Sequence, residues 1–195
     1  MKVLSLSSDV NIHKLSQQIL KNEPKILDKY PPKGFYGEDT DGGTGLGLNS
    51  LTSRFFYFNV LRWWGTGVLK KDIKKGYERY TGIKNKPIYV QCWANVMRKG
   101  DRIKRHIHDQ RPVNYRDSLS GHLNVKVDEL TSTYYNGKPF VNKNGEMILF
   151  PSNIPHWTDM YKGDDERITI AFDIKSSEFF KCDVVKGAQS HWVKL

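Results

Sequence analysis

The chain has 195 residues and a formal charge of +10, from 31 basic and 21 acidic side chains, which is enough length for one domain with a sizeable core. With 38% hydrophobic and 12% aromatic residues it does not read as a disordered chain, and no run approaches the roughly 20 apolar residues of a membrane-spanning helix. Cys92 and Cys182 form no paired-cysteine motif, which argues against a disulfide framework or a zinc–thiolate site and for a reducing compartment.

Residues 1–9 lack the apolar core of a secretion signal, so a cytoplasmic location is expected, with no membrane partner. The basic balance would attract nucleic acid or small anions, but a high pI more often reflects a solvated surface. Nucleic-acid binding therefore stays open without being the favoured reading.

Over residues 10–22, Ile12, Leu15, Ile19 and Leu20 recur at helical spacing, with Asp9 placed as the cap. Residues 24–49 are dense in turn formers, among them Pro31-Pro32, Gly34, Gly37 and the run Asp41-Gly42-Gly43-Thr44-Gly45-Leu46-Gly47. That run lacks a Gly-Lys-Ser/Thr ending, a preceding strand and a following helix. It reads as a loop over a pocket rather than a phosphate cradle.

Between residues 51 and 80 aromatics and bases interleave: Arg54, Phe55, Phe56, Tyr57, Phe58, Arg62 and Trp63, then Lys70, Lys71, Lys74 and Lys75. Such mixing can stack single-stranded bases. The spacing of Trp64, Val68, Leu69, Ile73, Tyr77 and Tyr80 is explained more simply by one apolar helix face packed on a sheet.

After Pro87, residues 88–97 alternate. Ile88, Val90, Cys92, Ala94 and Val96 occupy one face, and Tyr89, Gln91, Trp93 and Asn95 occupy the other, which has the character of a polar pocket lining. Further strands are predicted at 119–127, 147–150 and 168–174, the last setting Ile168, Ile170 and Phe172 against Thr169, Ala171 and Asp173. Short strands, with helices confined to the first half, predict an antiparallel double-sheet barrel with flanking helices. The tail from Lys175 is expected to dock back through Phe179, Phe180 and Trp192.

His106 and His108 stand two apart, so in a strand both reach one side while Ile107 turns to the core. His156 follows Phe150-Pro151-Ser152, a strand end that aims the next side chain inward. Imidazole suits iron, zinc, copper and nickel, and three ligands on one side of an ion leave the opposite positions free, as in non-heme iron oxygenases. His13 and His191 have no ligand-spaced neighbour and are not taken as ligands, while His122 on a predicted strand is a competitor. Arg167 and Thr169 share a strand face, where a guanidinium fork and a hydroxyl could grip a carboxylate. The competing reading is a surface arginine paired with Glu166 or Asp164.

The order Trp93-x-Asn95, Gly100, His106-x-His108, Leu119-Ser120-Gly121, Gly145-x-x-x-x-Phe150-Pro151-Ser152, His156 and Glu166-Arg167-Ile168-Thr169 resembles the 2-oxoglutarate- and Fe(II)-dependent oxygenases of bacteria and their phages. These are distant relatives of the prolyl 4-hydroxylases. The resemblance spans residues 88–174, and its most specific part runs from Phe150 to Arg167. It implies a double-stranded β-helix, the jelly-roll or cupin-like barrel, over residues 87–175. Residues 1–86 then form a helical lead-in and loop, and 176–195 a tail, within one domain.

It further implies Fe(II) as metal, with 2-oxoglutarate and O2 as cosubstrates. His106 takes the first ligand position and His156 the distal one, and Arg167 with Thr169 binds the far carboxylate of 2-oxoglutarate. Tyr89, Gln91 and Asn95 are candidates for hydrogen bonds to the cosubstrate.

The departure is at His108, where the wider superfamily places Asp or Glu. Three histidines hold the iron, or Asp109 swings in as the carboxylate, or metal binding is compromised; the three-histidine site is favoured. The connection from His108 to Ser120, with Gln110, Arg111, Pro112, Val113, Asn114, Tyr115 and Arg116, is longer than in relatives and is expected to shape the substrate mouth. Neutral histidines are needed for ligation, so metal affinity is expected to fall below a pH of about 6.5. A non-catalytic metal- or anion-binding barrel within an assembly is the alternative function. The primary substrate leaves no signature, because specificity resides in loops.

Overall fold

Period-two alternation of apolar side chains along four strands builds the larger of two sheets. The computed structural model describes residues 3–32, 44–109, 114, 116–183 and 191–195. In chain order they form β1 (Leu4–Ser7), α1 (Ile12–Lys29), α2 (Gly67–Thr81), β2 (Ile88–Met97), β3 (Ser118–Lys126), β4 (Thr133–Tyr135), β5 (Lys138–Phe140), β6 (Glu146–Pro151), β7 (His156–Thr158), β8 (Arg167–Ser176), α3 (Ser177–Asp183) and β9 (Val193–Lys194). Six strands pair in the order β1-β6-β3-β8-β2-β9 and three in the order β5-β4-β7. Every pairing is antiparallel.

One face of the six-stranded sheet carries Ile88, Val90, Cys92, Ala94, Leu119, Leu123, Met147, Leu149, Ile168, Ile170 and Phe172, packed with Leu15, Ile19 and Ile26 of α1 and Leu69, Ile73 and Tyr77 of α2. Each Val, Leu, Ile, Phe or Met side chain among them contributes about 1.5–3 kcal/mol when fully buried. The helices thus seal one face and leave the other for the three-stranded sheet. Between the sheets lie Tyr135, Ile148 and Phe150, a smaller apolar cluster. The fold is mainly β with flanking helices in a two-sheet jelly-roll arrangement, and the described strands do not close into a continuous barrel. No helix among the described residues is long and apolar enough to cross a membrane.

The helices depart from the sequence expectation in four ways. Asn11, not Asp9, caps α1, its side-chain oxygen accepting from the Lys14 amide at 3.0 Å; the Asp9 amide instead donates to the Asp72 carboxylate. α1 also continues through Pro24 to Lys29, although proline forfeits one helical hydrogen bond. Its buried face, Leu15, Ile19, Glu23 and Ile26, extends past the proline. There Glu23 receives both terminal nitrogens of Arg98 at 3.1 and 2.8 Å.

α2 begins at Gly67, so Trp64 precedes it and is 92% exposed rather than part of the buried stripe, and Val68 is also exposed. Gly82, at φ 77°, ends α2 by donating its amide to the Glu78 carbonyl, as a left-handed glycine cap does. Helices are not confined to the first half, since α3 follows β8. Through it the tail docks: Phe180 stacks on Tyr89, and β9 pairs with β2.

Gly121 on β3 marks where the sheet is tightest. A Cβ there would lie 2.4 Å from the Ile148 carbonyl oxygen and 2.5 Å from the Phe172 ring. Backbone cannot yield as a flexible side chain can. Gly121→Ala is expected to lower the unfolding free energy by about 1–3 kcal/mol or more, measurable as a reduced urea midpoint.

Candidate metal centre

His106 and His156 are brought together by backbone pairing. Each donates its amide to the other's carbonyl, at 3.1 and 3.0 Å, an isolated bridge that lays residue 106 beside β7. His108 does not continue a strand. Its amide and that of Asp109 turn to the Ser152 carbonyl at 2.9 and 3.1 Å. Ile107 is 36% exposed rather than core-facing, since the pairing stops at the isolated bridge of residue 106 and the chain at residue 108 turns toward Ser152.

The three rings nevertheless gather, with ligand-capable atoms all within 4.8 Å of one another. Each ring has its Nδ1 engaged: His106 with the Lys104 carbonyl at 2.8 Å, His156 with the Ile154 carbonyl at 3.0 Å, and His108 with the Asp173 carboxylate at 2.7 Å. That leaves Nε2 of each ring for the common point. The His108 and His156 Nε2 atoms are 3.2 Å apart, against about 3.0 Å for adjacent ligands at right angles with metal–nitrogen bonds of about 2.1 Å. Burial, then His108 beside it, pushes the His106 pKa down to about 4, and burial with the neighbouring histidines holds His156 well below its ordinary value. The acid limit for ligation by these two rings therefore lies lower than the 6.5 of a free imidazole.

The same cleft is lined by Trp93, Asn95, His122, Tyr135, Arg167 and Thr169. Register explains the last two, since Met97 pairs with Arg167 and Asn95 with Thr169 across β2 and β8. Arg167 is 1% exposed. Nη1 meets the Met97 sulfur at 3.2 Å, while its buried Nε has no hydrogen-bond partner among the described residues. Burial pulls its pKa down to about 10, so it is still a cation at neutral pH. The surface-arginine reading fails, because Asp164 pairs with Lys99 and Glu166 with Lys126. Beside Arg167, Asn95 accepts from the Thr52 hydroxyl at 2.6 Å and reaches the Thr169 hydroxyl at 3.5 Å.

Other expected site residues lie elsewhere. Asp109 is buried, its carboxylate 3.9 Å from the Lys175 ammonium, and it is not in the histidine cluster. Tyr89 stacks on Phe180 and Gln91 donates to the Phe55 carbonyl at 3.0 Å. Arg54 is likewise turned inward, giving its Nε to the Tyr30 carbonyl, which removes it from any base-stacking surface. Thr44 lines the cleft and takes the Lys104 amide at 2.7 Å; the rest of the glycine run before it, Asp41 to Gly43, lies outside the described residues. So does most of the expected mouth between His108 and Ser120, where only Asn114 and Arg116 of residues 110–116 are described.

Asp173 was missed as a partner of the site. Its face was legible, since alternation aligns it with Arg167 and Thr169, but its pairing with His108 depends on a loop that alternation does not describe. Burial raises its pKa, yet His108, Ser120 and Lys175 outweigh burial, and the net shift is downward.

His122 hydrogen-bonds the Tyr135 hydroxyl through Nε2. Burial, with Arg167 adding to it, lowers its pKa to about 3. The unfolded chain takes up this proton near pH 6.5 and the folded one does not, so stability falls as pH drops from about 6.5 toward 3. The slope is about 1.4 kcal/mol per pH unit for this group. Relative to His122→Gln, the wild-type metal-free protein should lose that increment between pH 6 and pH 5 in urea denaturation; parallel curves would place the ring in contact with water.

No family model and no curated protein sequence matches the chain. Solved structures do. A prolyl-4-hydroxylase from Pseudomonas putida is similar with TM-score 0.52 and 10% identity, over 89% of this chain and 92% of that one. The collagen prolyl hydroxylase of Paramecium bursaria Chlorella virus-1, solved with 2-oxoglutarate, is similar with TM-score 0.56 and 11% identity, over 90% and 97%. The α-ketoglutarate-dependent non-heme carbocyclase SnoK of nogalamycin biosynthesis reaches TM-score 0.60 and 12% identity, over 90% and 79%. The chain has the jelly-roll fold of the 2-oxoglutarate- and Fe(II)-dependent oxygenases.

Proposed function

We propose that this protein is a 2-oxoglutarate- and Fe(II)-dependent dioxygenase that hydroxylates a primary substrate of its own. One observation carries the reading: three imidazole Nε2 atoms converge in a cleft that also holds a buried cationic Arg167 whose Nε has no partner among the described residues. The donor set fits the metal, since imidazole suits iron and each Nδ1 is engaged elsewhere. Arg167 fits the cosubstrate, because a buried guanidinium with no carboxylate partner among the described residues is costly until an anion arrives. The fold shared with the viral hydroxylase solved with 2-oxoglutarate supports the same assignment.

In this reading His106, His108 and His156 hold Fe(II), and Asp109 is not a ligand. Arg167 and Thr169 bind the distal carboxylate of 2-oxoglutarate, with Asn95 setting the Thr169 hydroxyl. When bound, Fe(II) and 2-oxoglutarate supply O2 activation coupled to oxidative decarboxylation, giving succinate, CO2 and one oxygen atom for a substrate C–H bond. The protein orients these groups and, through Trp93 and the loop at Thr44, excludes water from them. Cys92, a buried free thiol, is compatible with the cytoplasmic setting we assign.

The test is succinate release from 2-oxoglutarate with added Fe(II), abolished by a chelator. A protein that binds Co(II) at the histidines but yields no succinate, with or without candidate substrates, would be a metal-binding jelly-roll without this activity.

A further inference from the structure

Among the three imidazoles, one is supported differently from the others. His106 and His156 rest on neutral backbone carbonyls, whereas His108 Nδ1 meets a carboxylate oxygen of Asp173 at 2.7 Å. That oxygen also accepts from the Ser120 hydroxyl at 2.6 Å. Ser120 lies 3.1 Å from the Ser152 hydroxyl, which is 2.9 Å from that of Ser118. The Ser152 carbonyl in turn receives the His108 and Asp109 amides. A single serine cluster therefore fixes both the carboxylate and the loop that carries His108.

We infer that Asp173 is the positioning residue of this centre: it orients His108 with Nε2 toward the metal and supplies, one hydrogen bond removed, the negative charge that a directly ligating carboxylate would bring. The inference rests on the metal-binding reading above. Three neutral imidazoles leave a divalent ion at +2. Counting Asp173 brings the ion and its immediate surroundings to +1, the value that two histidines and one carboxylate give. A carboxylate bonded to the far nitrogen of a ligating histidine fixes its tautomer and raises its basicity, and losing such a partner weakens metal binding by about 10–100-fold. Asp173 stands on β8 with Arg167 and Thr169, on one face at even spacing, so one strand sets both the metal's charge and the proposed carboxylate anchor.

The experiment compares wild type, Asp173→Asn and Ser120→Ala, each prepared metal-free, for Co(II) affinity by competition with a chromophoric chelator and for the visible spectrum of the Co(II) form. Asp173→Asn keeps an oxygen acceptor and removes the charge, so its Co(II) dissociation constant should rise about 10–100-fold, with altered Co(II) bands. Its metal-free thermal midpoint should stay within a few degrees of wild type. Ser120→Ala, which leaves the carboxylate but frees it to turn, should fall between the two. The double variant His108→Asp with Asp173→Asn, which moves the carboxylate to the ligand position, should recover affinity over Asp173→Asn alone.

Wild-type affinity and bands in Asp173→Asn would overturn the inference and leave the oxygenase reading standing. No Co(II) binding by wild type would remove the metal centre itself. Should Asp173→Asn fail to fold, an unchanged Ser120→Ala would overturn the inference equally.

Discussion

Replacing His156 with alanine is expected to abolish 2-oxoglutarate turnover and to weaken metal binding by more than about 100-fold, beyond the range for partners that act only through a ligand. His156 is central to the cluster: its ring centroid is 4.2 Å from that of His106 and 5.0 Å from that of His108. Its backbone also holds residue 106 in place through the reciprocal amide bonds. Alanine keeps those backbone bonds, so the loss should appear in metal affinity rather than in the urea midpoint of the metal-free protein. Removing a ring buried with its basicity suppressed also relieves a cost paid at low pH. The variant should therefore lose less stability than wild type between pH 6 and pH 4. Equilibrium dialysis against Co(II), with circular dichroism as the control for folding, checks both parts. A variant that still bound Co(II) like wild type would remove His156 from the proposed ligand set.

What could be read from the sequence followed the regularity of the backbone. Residues 88–97 alternate cleanly, and β2 has those bounds, with its two faces as expected. Alternation likewise put Thr169 and Asp173 on the cleft side of β8. It could not limit how far the cleft runs along a strand. Tyr89 shares a face with Asn95 but stands six residues away, about 20 Å at strand rise, and is claimed by Phe180 instead. Strands β4, β5 and β7 have three residues each, too few for any period to show. The helix expected over residues 10–22 runs on to Lys29, where Ile26 is buried on the same face as Leu15 and Ile19, although Pro24 inside it forfeits one hydrogen bond. The histidines were legible by type and spacing, but the geometry offered for them, a shared strand face, was not the one found. They converge through a bridge at residue 106 and a turn onto Ser152, non-local contacts that no short window of sequence contains.

Arg167→Met should separate cosubstrate binding from both metal binding and folding. Methionine fills much of the same volume, and the Met97 sulfur that Arg167 now faces is a tolerant neighbour for it. Truncating one partner of a buried, hydrogen-bonded charge pair costs about 2–5 kcal/mol, so 2-oxoglutarate affinity should fall by about 30-fold or more, at roughly 1.4 kcal/mol per tenfold. Co(II) affinity should not change, because no histidine in the cluster bonds to the guanidinium. Stability should move the other way. None of the ion pairs among the described residues includes Arg167, so the free protein bears most of the cost of burying this cation, and replacing a buried charge by an apolar side chain of similar size is often stabilising by about 1–4 kcal/mol. A midpoint in urea at or above that of wild type, together with a 2-oxoglutarate dissociation constant raised about 30-fold or more, is the expected pair of results. A stable variant with unchanged 2-oxoglutarate affinity would mean that the anion is held elsewhere. Loss of stability would mean that Arg167 already has a structural partner, and that its exposure to the cleft is incidental to the function.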